Sequence, residues 1–406
     1  MNLKVSCKNL KGNIVVPCSK SLAHRYLLAS FLAGEIEKVK DFDAYCDDIA
    51  TTKECLLKLY DNSDIINCHE SGTTFRLLMA VIPALGMNVE IHIDESLAKR
   101  PISDLVDELN KHGAEIIKTS NTTYKISGKL KPGKYEIPGN ISSQYISALL
   151  FALPLLDGES ELQITEEIES KPYIDLTLQF LKFWHKRDGS FYTTLGTKRT
   201  GPNAPKLYTK MAQKEPSPLE GDWSLGAMWL VASKLLGNTI NVEGLNEESN
   251  QADAMIQDLL EIDDDLDVIV SIQDCPDLAP AIALWAINRD ADTTITDVSR
   301  LKLKESNRLD AIVSVLTELG ANIKSKEDCI VIMGTNHHDL PGSDKMINTY
   351  NDHRIVMLAS LFSIITEKAV NIGSPESVNK SYPNFFKEIE KLGGKIEWNY
   401  ALIESK

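Results

Sequence analysis

The chain is short of positive charge: Lys and Arg number 43 against 58 Asp and Glu, a formal net charge of −15. Phosphate backbones are bound by basic surfaces, so this balance argues against nucleic acid as a partner. It leaves room for a local cationic pocket that takes a small anion. The cysteines lack a pattern. Cys7, Cys18, Cys46, Cys55, Cys68, Cys275 and Cys329 form no C-x-x-C pair, so neither a zinc site nor a disulfide framework is expected, and free thiols in the reducing cytoplasm fit them. Long apolar runs are missing too. The longest, residues 148–156, is too short to span a bilayer and contains Pro154. No apolar signal core follows Met1, and no membrane association is expected.

What is present reads as an ordinary globular chain, with 43% hydrophobic and 25% charged residues. A length of 406 residues exceeds one ordinary core and implies two domains. Strand-like and helix-like stretches alternate, which points to an α/β architecture. Strands are expected at 4–7 and 13–16. Helices are expected at 21–33, where Leu22, Leu27, Leu28 and Leu32 form an apolar stripe, at 73–84, and from about Ser103. Three helix-like segments end in a glycine that leads into a strand, at Gly113, Gly320 and Gly393. Glycine tolerates the left-handed conformation that stops a helix, and three copies in both halves suggest a repeated unit. Residues 186–218, rich in Gly, Pro, Thr, Lys and Arg, read as a loop or an interdomain crossing.

Small polar and basic residues gather at the expected helix starts. Ser19-Lys20-Ser21 with Arg25, Ser71-Gly72-Thr73 with Arg76, Ser142-Ser143-Gln144 and Ser170-Lys171-Pro172-Tyr173 would each give an anion both backbone N–H donors and side chains. Arg100 before Pro101 sits on a stiff approach suited to a carboxylate or phosphate. In the second half stand Glu220-Gly221-Asp222, Pro276-Asp277, Lys304-Glu305 with Arg308, Asn351-Asp352-His353-Arg354 and Lys380. Lys304 and Arg308 are spaced to share one helical face. Taken one at a time, these residues also suit plain helix caps or a solvated charged surface.

Their order is the stronger signal. Together the motifs resemble the 5-enolpyruvylshikimate-3-phosphate synthases (3-phosphoshikimate 1-carboxyvinyltransferases), of the enolpyruvyl transferase family, over nearly the whole chain. The resemblance implies a two-domain inside-out α/β barrel with three repeated units per domain. Residues 1–19 would join 210–406 in one domain, residues 20–209 would form the inserted one, and a second crossing would lie around 206–214. The active site would lie in the cleft between the two domains. The implied reaction moves the enolpyruvyl group of phosphoenolpyruvate onto the 5-hydroxyl of shikimate 3-phosphate, releasing phosphate, on the shikimate route to chorismate and aromatic amino acids.

By the same resemblance, Lys20, Ser21, Arg25, Ser142, Ser143, Gln144, Ser170, Tyr173, Asp277 and Lys304 hold shikimate 3-phosphate. Lys20, Gly72, Arg100, Gln144, Arg308, His353, Arg354 and Lys380 face phosphoenolpyruvate. Asp277 is the expected base toward the 5-hydroxyl, and Glu305, with Lys20, the expected acid toward the enol methylene. No cofactor or metal is implied, and a monomer is the default. The sequence departs from the family pattern at Cys18, where Gly is usual, and at Glu70, where Asn is frequent. It departs again at His24, and at Arg300, to which no role carries over. The sister enzymes acting on UDP-N-acetylglucosamine share the fold but usually carry a cysteine in the segment that ends here at Ala98-Lys99-Arg100; none is present. A non-catalytic binding module on the same fold is the reading from another class, and the filled charged positions oppose it.

Overall fold

The computed structural model describes residues 2–184, 195–197, 219–334, 340–366 and 368–399. The chain divides into two compact units. Met1–Ser19 with Glu220–Lys406 forms the terminal unit, and Lys20–Leu219 the inserted unit. The expected crossing at 206–214 lies outside the described residues.

One sheet pattern occurs three times. In the inserted unit, Ile65–Asn67 pairs parallel with Val89–His92, which pairs antiparallel with Thr123–Gly128, itself paired with Ala114–Ser120. In the terminal unit, Val268–Ser271, Thr293–Thr296, Cys329–Ile332 and Ile323–Lys326 repeat that order and direction. Met346–Ile347, Val370–Gly373, Asn2–Ser6 and Lys395–Asn399 do so again, using both ends of the chain for the hairpin. The repeat foreseen at three glycines is therefore real. Gly113, Gly320 and Gly393 have φ of 99°, 100° and 98°, and each joins the second helix of a repeat to the hairpin.

Two shorter sheets complete the described residues: Gly12–Val15 parallel to Ile240–Glu243, and Lys134–Ile137, Glu161–Ile164 and Leu195–Thr197, all parallel. The last strand falls inside the stretch 186–218 that reads as loop. Three residues paired on one side leave too short a pattern to see in sequence.

Strands such as Val89–His92 and Thr293–Thr296 alternate buried and half-buried side chains, so one sheet face packs inward and the other meets water. The first helix of each repeat is different. Gly72–Leu85, Ala279–Ile287 and His353–Phe362 are buried on nearly every side, as are Ser143–Ala152 and Trp223–Leu235. A helix apolar all round belongs in an interior. Each unit thus has helices inside and sheets outside. A buried Leu or Ile contributes roughly 1.5–3 kcal/mol over an exposed one, so these helices anchor their unit and their N-termini are held firmly.

At its boundary the terminal unit is stitched to itself. Ser19 N–H donates to the Glu220 carbonyl and Asp222 N–H to the Pro17 carbonyl, each at 2.8 Å. None of the seven cysteines forms a disulfide, and no helix among the described residues is long and apolar enough to cross a membrane.

Candidate active site

The polar helix starts read from the sequence fall at the N-termini of the buried helices, which is where a fixed interior element can present donors. In the inserted unit, Lys20–Leu32 brings Lys20, Ser21 and Arg25. Arg25 is buried at 3% exposure. Its Nε donates to Thr177 Oγ1 at 2.7 Å and its Nη1 to the Ser21 carbonyl at 2.8 Å. Its Nη2 donates to Ser147 Oγ at 3.3 Å and the Tyr173 carbonyl at 2.8 Å. These acceptors are all neutral, so the bonds fix the guanidinium without cancelling its charge. Burial pushes its pKa down to about 10, with Tyr173 opposing, and it remains a cation at neutral pH.

A second group lies between the helices Gly72–Leu85 and Ser143–Ala152. Arg76 Nη1 donates to Gln144 Oε1, and Gln144 Nε2 to Thr73 Oγ1, both at 2.7 Å. A Cβ at Gly72 would meet Arg100 Nη1 and Arg76 Nη1, each at 2.9 Å, so the glycine is what lets two guanidinium groups approach this turn. Ser142 caps its helix by accepting from Gln144 N–H at 3.3 Å, and Ser143 is buried at the first helical position. Ser170, at φ 55°, precedes Lys171–Trp184, where Tyr173 lies in the first turn. Lys20 Nζ pairs with Asp48 Oδ2 at 2.7 Å.

In the terminal unit the convergence is tighter. Asp277 sits in the turn Pro276–Leu278 that leads into Ala279–Ile287. Its Oδ1 meets Arg308 Nη1 at 2.7 Å and Lys304 Nζ at 3.2 Å, and its Oδ2 meets Arg354 Nη2 at 3.4 Å. Burial alone would push its carboxyl up, but Lys304, Arg354 and Arg308 outweigh it and hold the group well below the usual carboxylate range. Arg308 is fully buried and also binds Glu305 at 2.6 Å and Asp352 at 2.9 Å. Burial opposes its charge, and Asp352, Glu305 and Asp277 together drive its pKa upward. Lys304 is pushed down to about 8 by burial, with Arg300 and Arg308 adding to the effect and Asp277 opposing it. Asp352 Oδ1 caps His353–Phe362 by accepting from Arg354 N–H at 3.0 Å. His353 is buried at 1% exposure and Lys380 at 8%.

Two expectations change. Lys304 and Arg308 do not share a helical face: Lys304 is extended after the turn Ser299–Leu303, and the helix begins only at Arg308. They meet instead through Asp277. The solvated-surface reading of Arg308, His353, Arg354 and Lys380 also fails, since all four are buried. Nothing in the sequence marks Asp48, Ser147, Thr177 or Ser224 as partners. Asp48 lies in the first turn of Asp47–Tyr60 and looks like a dipole-favoured helix start; its pairing with Lys20 exists only in the folded unit.

Within each unit, cations and helix N-termini are gathered on a rigid interior. This arrangement and the inside-out repeats define an enolpyruvyl-transferase class of fold. The model of EPSP synthase (3-phosphoshikimate 1-carboxyvinyltransferase) matches residues 58–389. A 3-phosphoshikimate 1-carboxyvinyltransferase of Clostridium kluyveri is 34% identical, covering 98% of this chain and 99% of its own. That of Clostridium acetobutylicum is 33% identical over the same shares. Among solved structures, EPSP synthase from Acinetobacter baumannii aligns with a TM-score of 0.68 at 19% identity, covering 98% of this chain and 100% of that one. The enolpyruvyl transferase NikO from Streptomyces tendae gives 0.66 at 14%, covering 98% of each. The chain belongs to the EPSP synthase family.

Proposed function

We propose that the chain transfers the enolpyruvyl group of phosphoenolpyruvate to the 5-hydroxyl of shikimate 3-phosphate, in the shikimate pathway to aromatic amino acids. The observation that carries this reading is a carboxylate, Asp277, ringed by Lys304, Arg308 and Arg354 in a chain of this family. A base set among cations suits the deprotonation of a hydroxyl on an anionic substrate beside a second anion.

In the reading we favour, Arg25, Ser21, Ser142, Ser143, Ser170 and Tyr173 receive shikimate 3-phosphate. Gly72, Arg100, Arg308, His353, Arg354 and Lys380 receive phosphoenolpyruvate, Lys20 and Gln144 serve both substrates, and Lys304 serves shikimate 3-phosphate. Asp277 takes the proton of the 5-hydroxyl as its oxygen attacks the substituted enol carbon. Glu305, assisted by Lys20, protonates the methylene, giving a tetrahedral adduct. Removal of a methyl proton then re-forms the double bond, the carbon–oxygen bond to phosphate breaks, and phosphate leaves. Loading of two anions draws Lys304 and Arg354 toward phosphate and carboxylate, so the basicity of Asp277 rises when the site is filled. The groups assigned to each substrate come from both units. The free thiols support a cytoplasmic site of action, and a monomer suffices for this chemistry.

The test is phosphate release by purified protein. Release is expected only when phosphoenolpyruvate and shikimate 3-phosphate are both supplied. No release with that pair, or equal release when UDP-N-acetylglucosamine replaces shikimate 3-phosphate, would overturn the reading.

A further inference from the structure

Arg308 and Arg354 are both buried and both touch Asp277, yet they are held in opposite ways. Arg308 spends its hydrogen bonds on three carboxylates: Asp277, Glu305 and Asp352. Among the described residues Arg354 meets only one carboxylate, at 3.4 Å. Its shortest bond is to a hydroxyl, from Nη2 to Ser224 Oγ at 2.7 Å, and Nη1 approaches the Ser224 carbonyl at 3.4 Å.

That hydroxyl has a defined polarity. Ser224 Oγ lies 2.5 Å from Asp222 Oδ1. A guanidinium can only donate and a carboxylate can only accept, so the single hydroxyl proton must point at Asp222 and a lone pair at Arg354. Asp222 Oδ1 is itself fixed, since it also accepts from Ser224 N–H at 3.0 Å and Leu225 N–H at 3.1 Å as the cap of Trp223–Leu235. The chain of contacts from cap carboxylate through hydroxyl to guanidinium is rigid, and all three residues are buried, at 6%, 6% and 5% exposure.

We infer that Ser224 is the positioning residue for Arg354, an adapter that aims its guanidinium at the anionic substrate while keeping Asp222 from neutralising it. An ion pair made directly with Asp222 would hold Arg354 as firmly but would compete with a ligand phosphate or carboxylate. A neutral oxygen polarised by a carboxylate orients the same group and leaves its charge available. The inference rests on the function proposed above and assigns the work of anion binding unequally. Arg354 carries the ligand, and Arg308 chiefly sets the field around Asp277.

The test is steady-state kinetics of Ser224→Ala and Ser224→Thr beside wild type, with calorimetric binding of shikimate 3-phosphate alone. Losing a hydrogen bond to a charged group costs about tenfold or more in affinity, so Ser224→Ala is expected to raise KM for phosphoenolpyruvate about tenfold while kcat changes by less than about threefold. Binding of shikimate 3-phosphate should be unchanged, and Ser224→Thr, which keeps the hydroxyl, should restore most of the lost affinity. An unchanged KM for phosphoenolpyruvate in folded Ser224→Ala would overturn the assignment. So would equal weakening of both substrates, the signature of a merely structural role. Wild-type protein that releases no phosphate would instead sink the functional reading, and this inference with it.

Discussion

Among the described lysines, Lys304 is the one whose ammonium is pulled down toward neutrality. Burial, with Arg300 and Arg308 beside it, lowers its ammonium to about 8 against the pull of Asp277. The sign of the consequence follows. Below about 8 the ammonium is charged and can serve an anionic substrate, and above it that attraction fades. In the unfolded chain lysine titrates near 10.4, so between the two values the unfolded state binds the extra proton and stability rises with pH. Activity and stability should therefore move in opposite directions on the alkaline side. A kcat/KM profile for shikimate 3-phosphate is expected to fall as pH passes about 8, and Lys304→Arg, which stays charged, should shift that limb upward by at least about one unit. An unshifted limb would assign the titration elsewhere.

Among the elements, the buried helices do most of the placing. Gly72 opens one of them, and any side chain there would press on Arg100 and Arg76 at 2.9 Å. Both neighbours are the far ends of flexible side chains, so Gly72→Ala is expected to fold normally. It should nonetheless displace the arginines and raise KM for phosphoenolpyruvate about tenfold, since small misplacements of binding groups are costly. Thermal denaturation beside kinetics checks both halves; a large loss of melting temperature with unchanged KM would contradict it. Helices of this kind were largely legible from sequence, because apolar runs, polar starts and the terminal glycines at 113, 320 and 393 each have a local cause. Lys304 was not. Its spacing to Arg308 suits a helix, but the chain is extended there, and the tertiary attraction of both residues to Asp277 replaces the local pattern. Ser224 and Asp48 were invisible for a related reason, since each acts through a partner that only folding brings near.

For the whole molecule, the net charge of −15 coexists with cations buried inside each unit. Arg25 and Arg76 of the inserted unit and Arg308, Arg354 and Lys380 of the terminal unit are all buried. A buried cation held by neutral oxygen atoms gains most from an incoming anion, and Arg25 is the plainest case. Titration calorimetry of shikimate 3-phosphate into wild type and Arg25→Ala tests this idea most directly. With the fold of the variant confirmed by its melting curve, binding is expected to weaken about thirtyfold or more, the usual cost of removing one partner of a buried charged contact. A folded Arg25→Ala protein that binds shikimate 3-phosphate as tightly as wild type would contradict it.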